Sequence, residues 1–313
     1  LTTNVLYLSE IDVLNHNGGG EFILRDFISK GKQLGYEVTI ANPRDNRYEI
    51  INRLKVKDFD LLVCSDMWNR PELGSWFVDE LIDEIISHQK YATFETGYTG
   101  VCSHPQGYNP CSLTKKFHCS NCPTNNALRE DFFKEAALNI YLSPLQAEAH
   151  FNFYGIKDKA PYVCIPEIDT NMFYNMNIER DIDYIVCGVI CQAKGYFDIV
   201  EYFHKKSLCD KKIVWVGPSL LGSPAVGEWI QRVPREDMCG FMNRAKNLIG
   251  LPVWKEAFGL VYAESALCGC NIIANENCGA LSCFEYDQEK LANPSHYKDN
   301  YSGLWKTLLN LSR

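Results

Sequence analysis

The stretch PVWKEAFGLVYAESALCGCNIIA (252–274) decides how this chain is read. The apolar run NLIGLP (247–252) leads into it, CNIIAN (270–275) closes it, and between them Glu256 and Glu264 stand eight positions apart. A helix beginning near Phe258 leaves its first backbone N–H groups without intrahelical partners, beside Gly259, which has no side chain to block approach. A terminus of that kind is an anion site. Glu256 then lies just ahead of the anion, where its carboxylate accepts hydrogen bonds from sugar hydroxyls. Glu264 lies about one and a half turns into the helix, placed to take a diol such as a ribose. An anion cradle flanked by two hydroxyl-binding carboxylates reads as a nucleotide-sugar site.

Outward from this stretch, strand-like and helix-like segments alternate, the pattern of parallel α/β domains. In the first half NVLYL (4–8), YEVTIA (36–41), DLLVCS (60–65), YATFE (91–95) and NIYLS (139–143) are short apolar runs rich in β-formers. EFILRDFISKGKQLG and SWFVDELIDEIISH, between them, repeat their apolar positions at helical spacing. DYIVCG (183–188), KIVWVG (212–217), NLIGLP and CNIIAN continue the arrangement in the second half. Near-continuous apolar strands imply sheets covered on both faces. The polar stretch EIDTNMFYNMNIERD (167–181) divides the halves. The expectation is two facing, doubly wound, Rossmann-like domains: 1–170 on the acceptor side, with a Cys-rich loop at 97–127, and 171–296 on the nucleotide-sugar side. A C-terminal helix at 297–313 returns to the first. Ligands of such sheets bind beyond the C-terminal strand ends, in the crevice.

Composition agrees. The 313 residues suffice for two ordinary domains, and 46% hydrophobic with 22% charged residues is globular usage. No apolar run approaches the roughly 20 residues of a membrane span, and the opening LTTNVLYLSE lacks the marks of a signal peptide. A formal charge of −8 argues against wholesale binding of nucleic-acid backbone, leaving only a local basic strip. Fourteen cysteines without a secretion signal suggest a reducing, cytoplasmic compartment, the host cytoplasm if the chain is viral. Cysteines 64, 164, 187, 191, 209, 239, 268 and 270 read as small core residues.

The ordered motifs resemble the retaining glycosyltransferases of the GT-B fold, in the glycosyl transferases group 1 superfamily. NGGGEF (17–22) resembles the family's Gly-Gly loop, CIPEIDTNMF (164–173) its Pro-x-x-(Val/Ile)-Asp segment, and CGVICQAKGYFDIV (187–200) its Gly-Arg…Lys-Gly element. RVPREDM (232–238) resembles its Val-Pro-x-x-(Asp/Glu) loop, and EAFGLVYAE is its E-x7-E motif. The resemblance implies backbone contact of Gly19 and Gly20 with the donor phosphate or the acceptor. It gives Lys194 to the diphosphate, the backbone at Val233 to the nucleobase, and Glu256 to the donor-sugar hydroxyls. Phe258, Gly259 and Leu260 would meet the phosphate end and Glu264 the ribose. The implied donor is a nucleoside diphosphate-sugar, UDP first, and the implied acceptor a saccharide or glycan, with no catalytic metal. Val189 stands where the family often has Arg, with Arg25 and Arg244 as candidate replacements.

Glu95, in YATFETGYTG, occupies the place of a family residue that approaches the reacting sugar, often His. A carboxylate there binds a hydroxyl, stabilises oxocarbenium-like charge or helps deprotonate the acceptor. Cys102, Cys111, Cys119 and Cys122, spaced C-x8-C-x7-C-x2-C, read as a structural zinc set, with His104 and His118 as substitutes and free thiols or a disulfide as the alternative. Tyr98, Tyr108 and FNFYG (151–155) are aromatic groups able to stack on a sugar or to pack. A second acceptor class is a hydroxylated base in DNA, with Arg44, Arg47, Arg53, Lys55, Lys57, Lys115 and Lys116 as a backbone-tracking strip. A non-catalytic binding protein on the same fold is the third reading.

Overall fold

A computed structural model of the chain describes residues 3–11, 13–14, 18–43, 47–68, 76–88, 90–98, 101 and 127–312. The described residues form two compact units. One runs up to Glu167 and resumes at Asp299; the other is Ile168–Lys298.

In the first unit the strands are β1 (Asn4–Ser9), β2 (Glu37–Ala41), β3 (Leu61–Ser65), β4 (Tyr91–Glu95), β5 (Leu138–Tyr141) and β6 (Tyr162–Val163). They make one parallel sheet in the order β2-β1-β3-β4-β5-β6. Every residue of β3 and β4 is buried, as strands covered on both faces require. Helices α1 (Gly19–Gln33), α2 (Arg47–Val56), α3 (Trp76–His88), α4 (Ala127–Glu135) and α5 (Pro144–Tyr154) are the crossovers. The chain steps from β1 out to β2 and then back to β3. The order of the sheet therefore reverses between β1 and β3.

The second unit carries β7 (Ile182–Cys187), β8 (Ile213–Val216), β9 (Glu228–Ile230), β10 (Ala245–Gly250) and β11 (Asn271–Ala274), parallel in the order β11-β10-β7-β8-β9. Helices α6 (Tyr196–Lys205), α7 (Arg235–Arg244) and α8 (Leu260–Leu267) connect them; α9 (Gly279–Ser282), α10 (Gln288–Leu291) and a 3-10 turn at Pro294–Tyr297 follow. Ile199 and Phe203 of α6 pack on Ile213, Trp215 and Ile249. Here the order reverses between β7 and β10. α11 (Asn300–Ser312) belongs to the first unit, where Trp305 stacks on Phe27 at 4.5 Å and 3° and donates from Nε1 to the Phe27 carbonyl at 2.9 Å.

Two strands have no counterpart in the apolar runs. β6 and β9 have two and three residues and lie at sheet edges, where burial on one side writes no continuous pattern. The cysteine reading needs one correction. Cys209 is exposed, in the polar turn after α6, and Cys187 is half-buried, whereas 64, 164, 191, 239, 268 and 270 are buried. Tyr98 is buried and stacks on His150 at 5.5 Å, and Tyr154 stacks on Phe133 at 5.1 Å, so both pack.

Candidate functional site

A doubly wound sheet opens its ligand crevice beyond the strand ends where the order reverses. In the second sheet those ends belong to β7 and β10. The loop leaving β7 runs Gly188–Gly195 into α6, and the loop leaving β10 runs Leu251–Gly259 into α8. The two loops are bonded to each other: Val253 donates its N–H to the Ala193 carbonyl at 2.9 Å. Gly195, at φ +78°, passes so close that a Cβ there would lie 1.8 Å from the Leu251 oxygen. Asn275 and Asn277, just past β11, each donate to the Pro252 carbonyl at 2.9 Å, and Glu256 donates its N–H to the Asn277 carbonyl at 2.8 Å. The loop that carries Glu256 is thus fastened from both sides.

On this scaffold the predicted acidic residues are buried and each is held by a cation. Lys194 Nζ lies 2.5 Å from Glu256 Oε1, the carboxylate side chain 9% exposed and the ammonium side chain 36%. Arg235 Nη2 lies 2.5 Å from Glu264 Oε1, with side-chain exposures of 26% and 7%. Burial pushes the Glu264 carboxyl above its ordinary range, and the Arg235 guanidinium pulls it back. α8 begins at Leu260, two residues later than the sequence suggests, because Gly259 takes the left-handed conformation (φ +84°) as its N-cap. Phe258 is buried, while Gly259 and Leu260 are partly exposed. At the other end of α8 the Arg180 guanidinium donates to the Cys268 carbonyl at 2.7 Å and also to the Ala245 carbonyl, a cation at two C-terminal helix ends.

Val233 is half-buried immediately before α7. Val189 is half-buried at the β7 exit. Arg244 does not replace the missing Arg, since it grips Asp181 with Nε and Nη2 at 2.7 and 2.6 Å, at the entry of β7, the opposite edge of the sheet. Arg25 lies on α1 with its guanidinium 4.7 Å from the Phe22 ring, in the first unit. Arg235 is the residue that sequence reasoning passed over. It sits inside the quoted RVPREDM segment, and its signal was a basic residue directly after the helix-starting Pro234.

The first unit gathers carboxylates at its own reversal point. Glu10 follows β1, Asp66 follows β3 and Glu95 ends β4, all fully buried. Gln146 of α5 donates to the carbonyls of Glu95 at 3.0 Å and Gly97 at 2.6 Å, fixing the β4 exit. Asp66 accepts from Thr96 Oγ1 at 2.8 Å, Ser65 Oγ at 2.9 Å and the Thr96 N–H at 3.2 Å. Gly19 is exposed and opens α1; Gly20 rests on Thr96, whose Oγ1 would lie 2.8 Å from a Cβ there.

Burial raises Asp66 to about 6, against the hydrogen bonds from Thr96 and Ser65. A carboxylate raised in the folded state contributes stability that is complete below its unfolded value, about 3.9, and is lost as pH rises through the folded one. Wild type is therefore expected to lose more stability than Asp66→Asn between pH 4.5 and 8, measured by chemical denaturation. Equal losses would show that Asp66 titrates normally.

Cys102, Cys111, Cys119 and Cys122, with His104, His118, Tyr108, Arg44, Lys115 and Lys116, lie outside the described residues. Of the rest of the basic strip, Arg47 is bonded to Glu80 at 2.6 Å and Arg53 to Asp58 at 3.0 Å, while Lys55 and Lys57 are exposed. No helix among the described residues is long and apolar enough to cross a membrane.

No family model and no curated protein matches the chain. Solved structures do. Sucrose-phosphate synthase from Thermosynechococcus elongatus is similar at 13% identity and TM-score 0.62, covering 98% of this chain and 96% of its own. HepE of Anabaena, solved with UDP and glucose, is similar at 13% identity and TM-score 0.59, covering 99% and 93%. An alpha-glucosyltransferase solved with UDP and a 13-mer DNA containing an HMU base is similar at 13% identity and TM-score 0.55, covering 100% and 96%. Two parallel, doubly wound α/β units that match such proteins over nearly their whole length place this chain on the GT-B glycosyltransferase fold.

Proposed function

We propose that the chain is a retaining glycosyltransferase that moves a sugar from a nucleoside diphosphate-sugar, UDP first, to a hydroxyl of a saccharide or glycan. The observation that carries this is the arrangement around Gly259: two buried carboxylates, each ion-paired, flank the start of α8 on the loop leaving β10 at the reversal of the sheet. In this reading Glu256 accepts from the donor-sugar hydroxyls and Glu264 from the ribose. Departure of the diphosphate is the hard step. Lys194 and the N–H groups at 258–260 stabilise its charge, and the departing phosphate oxygen takes the acceptor proton. Glu95 approaches the reacting sugar, the Gly19–Gly20 turn meets the donor phosphate or the acceptor through its backbone, and Val233 borders the nucleobase. The four-cysteine run supplies a thiolate set for structural zinc, a reading that rests on its spacing.

UDP and UDP-glucose complexes among the similar structures support the donor class. The neighbour bound to DNA makes a hydroxylated base the second acceptor class. The engagement of Arg47 and Arg53 with acidic neighbours weighs against that strip.

The test is a thermal-shift panel of UDP-, GDP- and ADP-sugars, then an acceptor array of saccharides and hydroxymethylated DNA with and without EDTA. A true donor at about a hundred times its Kd should raise Tm by about 5–10 °C, and turnover should persist in EDTA. No shift with any member of the panel would end the proposal. A shift without turnover on any acceptor or on water would favour a binding protein.

A further inference from the structure

α7 begins with Arg235, one residue after Pro234. A cation there is opposed by the positive end of the helix, where acidic residues such as Glu236 and Asp237 of the same turn are favoured. Something outside the helix must compensate it. Two such neighbours are Glu264 and Phe173. Arg235 Nη2 lies 2.5 Å from Glu264 Oε1, and its guanidinium lies 5.5 Å from the ring centroid of Phe173, a fully buried residue. Phe173 is itself fixed by a turn in which the N–H groups of Met172 and Phe173 donate to the Asp169 carbonyl at 3.0 and 2.9 Å.

Among the described residues the carboxylate is held by one oxygen: the hydrogen bond to Glu264 reaches Oε1 and none reaches Oε2, and the side chain keeps 7% exposure. A buried carboxylate without a cation would turn toward its neutral form. Arg235 against Oε1 pulls the group back toward its charged form and fixes its orientation, so that Oε2 presents its lone pairs in one direction.

On the donor-site reading given above, we infer that Arg235 is the positioning residue for the donor's ribose. It clamps Glu264 so that the second oxygen accepts from the 2′- and 3′-hydroxyls, and it thereby sets the preference for ribonucleotides over 2′-deoxyribonucleotides. It acts through Glu264 and touches no reacting atom. Its removal therefore raises KM for the donor and leaves kcat nearly unchanged, because ribose contacts are the same in ground and transition states.

The experiment measures binding of UDP, GDP and ADP and their 2′-deoxy counterparts to wild type, Arg235→Gln, Arg235→Lys and Glu264→Gln, with KM and kcat for the donor. Arg235→Gln should weaken ribonucleotide binding about tenfold, the effect of losing a charge-assisted hydrogen bond, while deoxy binding changes little. Arg235→Lys, which keeps the charge without the planar fork, should recover part of the ribose preference. If Arg235→Gln fails to fold, the lysine variant carries the test through an intermediate preference. Wild-type discrimination in Arg235→Gln, with discrimination lost in Glu264→Gln, would overturn the inference and leave the donor site standing. Unchanged discrimination in Glu264→Gln would overturn the donor-site reading beneath it.

Discussion

Glu256→Gln should lower kcat by on the order of 10²-fold with little change in Tm. The carboxylate is 9% exposed at the side chain and lies 2.5 Å from Lys194. The amide keeps the shape and one acceptor oxygen, but carries no charge to draw the ammonium into place or to strengthen bonds from sugar hydroxyls as charge develops in the transition state. Removing one partner of a fully buried pair costs about 3–5 kcal/mol of stability. This pair is less severe, because the ammonium is a third exposed and rehydrates when its partner is neutralised. Loss of turnover with a retained fold is therefore the signature of a site, and loss of both would mark a structural pair. Steady-state kinetics and a thermal melt on the same preparation separate them. A kcat within about threefold of wild type, small against the loss expected for a group that stabilises transition-state charge, removes Glu256 from the chemistry.

The sheets were legible because a strand buried on both faces has to be apolar at nearly every position. β3 reads LLVCS and β10 contains NLIG, and such runs resemble little else. The site was legible for a related reason. Glu256 and Glu264 bracket a glycine at φ +84°, and a turn that opens a helix in the left-handed region leaves glycine in the sequence.

Pairings across the fold left no such trace. Lys194 and Glu256 are 62 positions apart and Arg235 and Glu264 are 29 apart, and only the packing of α7 beside α8 brings the second pair together. Asp66 escaped for the same reason. Its importance comes from Thr96, 30 positions on, which reaches it only because β3 and β4 are neighbours in the sheet. Spacing reveals what one element presents, while partners chosen by topology become visible once the sheet order is known.

Trp305→Ala is expected to cost the first unit about 3–5 kcal/mol, the range for deleting a fully buried indole. Trp305 is 0% exposed and lies flat on Phe27, with the Tyr36 ring 5.3 Å away and tilted by 39°. Gly31, one turn after Phe27 on α1, lets the ring sit against the helix backbone: a Cβ there would lie 2.4 Å from Cζ2 and 2.6 Å from Cε2. Inside a helix glycine is a poor choice by about 1 kcal/mol relative to alanine, so its presence in the last turn of α1 is explained by the ring. The effect of Gly31→Ala should therefore change sign with its surroundings. In wild type the methyl overpacks against a rigid ring and destabilises by about 1–3 kcal/mol. In the Trp305→Ala background the space is open, and the same substitution should stabilise by up to about 1 kcal/mol. A double-mutant cycle in urea measures that coupling directly. Additive effects would mean that α11 does not press on α1 through this ring, and that the C-terminal segment contributes to the first unit by some other contact.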